Sequence, residues 1–121
     1  MRVSVVVCTH TVERYPDLKE AVESVLANGY DDREVVVVSD GSATVAERAR
    51  EDFGDHDDVV VHHQETNRGL LATRNTGASV ASGDVVAFID DDGLAEPDWL
   101  ERLVAVYERR TEPWASGEGR V

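Results

Sequence analysis

The sequence predicts an open, mostly parallel α/β sheet with helices on both faces. Short β-branched runs alternate with longer segments of helical period, and four such βα repeats follow one another. At 121 residues the chain holds one domain with a real core and leaves little room for a second.

The first strand is expected over Val3 to Cys8 and the first helix over about Pro16 to Asn28. Leu18, Ala21, Val22, Val25 and Leu26 share one face of that helix, Pro16 suits its first turn, and Gly29 stops it. A second strand, Glu34 to Val38, leads to a polar helix over about Thr44 to Phe53, capped by Ser42. The third strand covers Val59 to His62. A third helix from Leu70 to Ala81 ends at Ser82-Gly83, and the fourth strand is Val85 to Ile89. The last helix begins near Pro97 and buries Leu100, Leu103, Val104 and Tyr107 at helical spacing. The pattern weakens after Arg110, so 111–121 is expected to be a truncated or flexible tail.

The fourth run reads as a buried strand that delivers Asp90, Asp91 and Asp92 to its carboxyl end. Adjacent like charges repel, and they persist most readily where a cation or full solvation neutralises them. Ligands of open α/β sheets bind at this end of the strands. Asp90-x-Asp92 suits Mg²⁺ or Mn²⁺, hard cations that take oxygen ligands and keep waters or substrate phosphates. A solvated acidic turn is the alternative. Zinc is disfavoured, because His62 and His63 point to opposite faces of a strand and no Cys and His set accompanies them.

Other strand ends carry polar groups. Thr9, His10 and Glu13 lie in the loop after the first strand, where a base or ribose could be held, although an ordinary loop fits as well. A G-x-G-x-x-G dinucleotide fingerprint is missing there. Asp40 can accept hydrogen bonds from a base or sugar, and Gly41 permits a sharp turn with room for a ligand; a plain Asp-Gly-Ser turn is the alternative. Arg74 falls early in a helix, where a guanidinium and the helix amino end both attract phosphate. Gly77 reads as a packing residue.

Twelve basic against 25 acidic residues give a net charge of −13, which argues against nucleic acid or an anionic membrane surface as main partner. Lys19 is the only lysine among the basic residues. With the acidic excess, this suggests a halophilic protein kept soluble by carboxylates, with a mesophilic acidic protein as the alternative. Cys8 stands alone in an apolar run, so no disulfide framework exists and a reducing, cytoplasmic setting is expected. No apolar stretch is long enough to span a bilayer, and no signal peptide is evident.

Taken in order, several motifs form a resemblance. They are Ser4-Val5-Val6-Val7-Cys8-Thr9, Val37-Val38-Ser39-Asp40-Gly41-Ser42, Asn67-Arg68-Gly69 with Ala72-Thr73-Arg74-Asn75, Phe88-Ile89-Asp90-Asp91-Asp92 and Pro97-Asp98-Trp99-Leu100. Together they resemble the family 2 glycosyltransferases over about residues 2–110, the nucleotide-sugar-binding, Rossmann-like half of a GT-A fold. The resemblance implies a domain over 1–110 in a metal-dependent inverting enzyme that moves a sugar from a UDP- or GDP-type donor to an acceptor hydroxyl. It also implies that Thr9 and Asp40 contact the base, beside His10, Glu13 and Gly41, which are donor-binding candidates by their place after the strand ends. Arg74 would approach the diphosphate and Asp91 the ribose, while Asp92, supported by Asp90, would ligate Mg²⁺ or Mn²⁺ in a D-x-D motif. Through that metal the two carboxylates would assist the departing diphosphate.

The acceptor would be a glycan or lipid-linked sugar, and peripheral membrane association of the full enzyme is compatible with this. His10-Thr11 stands where the family often has Tyr-Asn, Ser39 replaces a frequent aspartate, and Gly93 follows the acidic run. A catalytic base is not identified in the chain. A non-catalytic nucleotide-sugar-binding module or a truncated remnant is therefore the rival reading. A nucleotidyltransferase is a third, but its Gly-rich basic loop is missing.

Overall fold

The computed structural model describes residues 1–110, so the expected tail lies outside the described residues. Strands β1 (Val3–Thr9), β2 (Arg33–Asp40), β3 (Val59–Gln64) and β4 (Val85–Ile89) alternate with helices α1 (Tyr15–Leu26), α2 (Ala43–Phe53), α3 (Leu70–Val80) and α4 (Trp99–Arg110). A 3₁₀ turn, Val12–Arg14, leads into α1. The strands form one parallel sheet in the order β3-β2-β1-β4. From β1 the chain winds outward through β2 and β3, then returns to place β4 on the other side. That reversal between β1 and β4 opens a crevice at their carboxyl ends.

Alternation along the strands divides the core. Val3, Val5, Val7, Val35 and Val37 pack against Leu18, Val22 and Val25 of α1, Val45, Ala49 and Phe53 of α2, and Leu100 and Val104 of α4. The opposite face carries Val6, Val36 and Val38, covered by Val80 and Ala81 at the end of α3. Gly77 lets α3 come close, because a Cβ there would lie 2.4 Å from Val6 Cγ1 and 3.2 Å from Val38 Cγ2.

The expectation that the fourth strand is buried is corrected. Among the described residues β4 pairs with β1 alone, and α3 packs on β1 and β2. Val86, Ala87 and Ile89 are half-buried, and Phe88 is 43% exposed. An uncovered edge strand and a buried one share the same apolar spelling.

Two polar clusters fix the connections. Asn28, expected inside the first helix, follows its end; its Nδ2 donates to the Glu96 carbonyl (2.8 Å) and its Oδ1 accepts the Leu100 N–H (3.0 Å). These bonds tie the start of α4 to α1, and α4 itself begins at Trp99 after a turn at Pro97-Asp98. At the amino ends of the strands, buried Glu34 accepts from Ser4 Oγ and from the Ser82 N–H, each at 2.6 Å. Ser4 Oγ in turn accepts the Gly83 N–H at 2.8 Å. No helix among the described residues is long and apolar enough to cross a membrane.

Candidate functional site

A cleft of about 500 Å³ lies at the carboxyl ends of β1, β2 and β4, walled on one side by the start of α3. Thr9 ends β1 within it. The residue is 4% exposed, and its hydroxyl has no hydrogen-bond partner among the described residues. A buried hydroxyl without a partner is costly, so it marks a place where a ligand can supply the missing bond. His10 follows at the exposed rim.

Thr11 Oγ1 then accepts the Glu13 N–H at 3.3 Å and caps the 3₁₀ turn. The turn brings Arg14 to the cleft, whereas Glu13 is exposed and does not line it.

Asp40 ends β2 and lines the same cleft, 4% exposed. Its Oδ1 accepts the Arg68 N–H (2.7 Å) and Gln64 Nε2 (3.0 Å), and its Oδ2 accepts the Gly69 N–H (3.1 Å). Gln64 Nε2 also donates to Thr73 Oγ1 (3.1 Å), which donates to the Gly69 carbonyl (2.7 Å). A carboxylate offers about four lone-pair sites, so Asp40 shapes the loop ahead of α3 with three of them and keeps about one for a ligand. Gly41 also serves that loop. Its φ of 85° is glycine territory, and a Cβ would lie 2.8 Å from Asn67 N, but Gly41 does not line the cleft.

The acidic run forms a turn at the end of β4, closed by the Gly93 N–H to the Asp90 carbonyl at 2.9 Å. Two arginines meet it. Arg74 Nη2 lies 3.2 Å from Asp90 Oδ1, with its guanidinium 5.7 Å from the Phe88 ring centroid. Arg14 Nη1 lies 3.6 Å from Asp91 Oδ1 and 3.8 Å from Asp92 Oδ2. Beneath them, burial pushes the Cys8 thiol up to about 11; Asp40 and Asp91 add to the rise, and Arg74 opposes it.

Among the described residues no three His, Cys, Asp or Glu side chains are grouped to hold a metal. Asp90 and Asp92 offer oxygen donors of the kind used by a cation that takes one or two carboxylates and completes its shell with water and phosphate, as Mg²⁺ and Mn²⁺ do. The Asp90 and Asp92 carboxyls, 72% and 59% exposed, are open to such an ion.

The structure therefore gathers Thr9, His10, Asp40, Arg74, Asp90, Asp91 and Asp92 around one cleft and leaves Glu13 and Gly41 off its lining. It adds Arg14, Asn67 and Thr73. Arg14 carried one signal in the sequence, a basic residue at a loop-to-helix junction of a chain poor in them.

The Glycosyl transferase family 2 model matches residues 4–112. The chain belongs to this family. Its strand and helix order is that of the amino-terminal part of GT-A glycosyltransferases. This family 2 chain is 52% identical over 117 residues to the glucosyl-dolichyl phosphate glucuronosyltransferase of Haloferax volcanii, covering 97% of itself and 37% of that relative. TarS of S. aureus, solved in complex with UDP-GlcNAc, superposes with a TM-score of 0.78 at 26% identity, over 91% of this chain and 32% of that one. The mannosyltransferase PcManGT of Pyrobaculum calidifontis, in complex with GDP-Man and Mn²⁺, gives 0.74 at 25% identity, over 93% and 33%. The family 2 chain thus spans about a third of the length of these relatives.

Proposed function

We propose that the cleft binds the nucleoside diphosphate sugar of an inverting glycosyltransferase, with a divalent cation at the acidic turn. One observation carries this: the buried Thr9 hydroxyl, without a partner among the described residues, shares a cleft with two arginines and four aspartates. The hydroxyl bonds the nucleoside, His10 borders it at the rim, and Arg74 meets the diphosphate once it leaves Asp90. Asp40 holds the Asn67-Arg68-Gly69 loop in the shape that receives the nucleoside.

Asp92, with Asp90, holds Mg²⁺ or Mn²⁺, which when bound neutralises charge on the diphosphate as it departs. Asp91, 16% exposed, faces the ribose. The acceptor hydroxyl attacks the anomeric carbon from the opposite side, and its base lies outside the residues assigned here.

The relatives that bind UDP-GlcNAc, or GDP-Man with Mn²⁺, support a donor of this class and a metal. The glucuronosyltransferase relative supports a lipid-linked sugar as acceptor, a uronic acid as the sugar moved and a halophilic setting. The unpaired Cys8 fits a cytoplasmic location.

Titration calorimetry with UDP and GDP, with and without Mn²⁺, tests the donor site. Binding of one nucleotide strengthened by Mn²⁺, and loss of that strengthening in Asp92→Ala, are expected. Failure of both nucleotides to bind with Mn²⁺ present sinks the reading.

A further inference from the structure

Arg14, like Arg74 at Asp90, brings a positive charge to the carboxylates of the proposed cation site. Its Nη1 sits within 4 Å of a carboxylate oxygen of both Asp91 and Asp92. At 3.6 and 3.8 Å these are ion pairs without hydrogen-bond contact, and the side chain is 46% exposed, so little holds the guanidinium there except charge. Its backbone is better fixed. The Arg14 N–H donates to the Thr11 carbonyl at 3.2 Å, and the next residue, buried Tyr15, bonds the Asp52 carboxylate. A long side chain on a fixed Cα can thus move between acceptors while the turn beneath it stays in place.

We propose that Arg14 is a resident counter-cation that couples metal binding to nucleotide binding. With the cleft empty, the guanidinium neutralises Asp91 and Asp92. A divalent cation on Asp92 would face a positive charge a few ångströms away, so Arg14 must leave for the cation to bind well. A diphosphate in the cleft offers the guanidinium a stronger, bidentate acceptor and draws it off the carboxylates. Diphosphate and cation therefore favour each other beyond their direct contact, and by linkage the effect is reciprocal. Free cation is held weakly until the nucleotide arrives. Arg14 acts here as a positioning residue, and this inference rests on the donor-site reading above.

The test is Mn²⁺ binding to the 121-residue chain, read from the electron paramagnetic resonance signal of the free ion, with and without the nucleoside diphosphate that binds. In Arg14→Gln, affinity for Mn²⁺ alone is expected to rise about three- to tenfold, the worth of one or two exposed ion pairs. The gain in Mn²⁺ affinity on adding nucleotide is expected to shrink by a similar factor. Arg14→Lys, which keeps the charge, should stay near the parent. A variant that merely damaged the fold would lose Mn²⁺ affinity, so the expected gain is not a structural artefact. Unchanged or weaker binding of Mn²⁺ alone in Arg14→Gln, or an undiminished nucleotide effect, overturns the proposal. If the parent chain binds no Mn²⁺ even with nucleotide, the donor-site reading falls with it. Parent binding that disappears in Asp92→Asn while Arg14→Gln behaves like the parent sinks the Arg14 inference alone.

Discussion

Asp40 Oδ2 accepts the backbone N–H of Gly69 at 3.1 Å, joining the end of β2 to a loop 29 residues further on. With the Arg68 N–H and Gln64 Nε2 on Oδ1, the bond makes a buried carboxylate the organiser of one cleft wall. Asp40→Ala would take an acceptor from three donors, of which the Gly69 N–H keeps Asn67 Oδ1 (3.0 Å) and Gln64 Nε2 keeps Thr73 Oγ1 (3.1 Å). A loss of about 2–4 kcal/mol in unfolding free energy is expected, together with loss of nucleotide binding. Asp40→Asn keeps one acceptor oxygen and should cost about 1–2 kcal/mol. Urea unfolding of the three proteins checks the order, and equal stability of Asp40→Ala and the parent would contradict the clamp.

Gly77 sets how closely α3 approaches the sheet. A methyl group in Gly77→Ala would meet Val6 Cγ1 at 2.4 Å, too near for small adjustments. The substitution should therefore destabilise by about 1–3 kcal/mol despite alanine's better helix propensity. Adding Val6→Ala should return part of that loss. Thermal unfolding reads both effects, and a more stable Gly77→Ala would show that α3 can lift away freely.

The strands and helices were legible because their apolar residues recur at the right periods, as Leu18, Val22 and Val25 do in α1. Gly77 was legible too, since a glycine inside a helical pattern has few other uses. Burial of β4 was misjudged because an apolar run does not disclose whether a helix covers it. At the site, single residues at strand ends were readable, but their partners were not. Asp40 meets Arg68 and Gly69 only through tertiary folding. Glu13 and Arg14 are neighbours in a 3₁₀ turn, where adjacent side chains diverge by about 120°. Which of them faces the cleft depends on the Thr11 cap, a detail of backbone geometry.

Net charge supplies a prediction independent of the site. Twenty-five acidic against 12 basic residues repel one another in the compact state, and salt screens that repulsion. The thermal midpoint should rise by several degrees between about 0.1 M and 2 M KCl, where screening is nearly complete. A flat or falling midpoint would remove the argument for adaptation to salt.

Glu34 gives the acid limb a specific contributor. Burial alone would raise its carboxyl, but hydrogen bonds from Ser4 and Ser82, helped by Arg2, hold it below the ordinary glutamate range. A depressed native value means that the charged form stabilises the fold. That contribution is complete above the ordinary value of about 4.3, and it is lost as pH falls through the native value. Glu34→Gln should lower stability at neutral pH by about 1–3 kcal/mol and flatten the acid limb below about pH 4.5. Urea midpoints measured across pH test this. An acid limb of unchanged slope in the variant would assign it to other carboxylates.

Cys8 reports on the cleft chemically. It is the chain's one cysteine, and it lines the cleft with its thiol raised to about 11 by burial and by Asp40 and Asp91. At about pH 7.5 it carries roughly 300-fold less thiolate than a thiol of ordinary value near 8.5. The higher basicity returns about tenfold in nucleophilicity, so alkylation by iodoacetamide should run about 30-fold slower than for a free thiol. Its rate should climb with pH toward 11 with no plateau near 8.5. Arg74 is the one group that lowers the thiol's value, so Arg74→Gln should slow the reaction further. A nucleoside diphosphate with Mn²⁺ should protect the thiol if it occupies the cleft floor. Mass spectrometry of the alkylated chain measures all three effects. Fast labelling at neutral pH, indifferent to Arg74, would mean that the thiol is not buried among these charges.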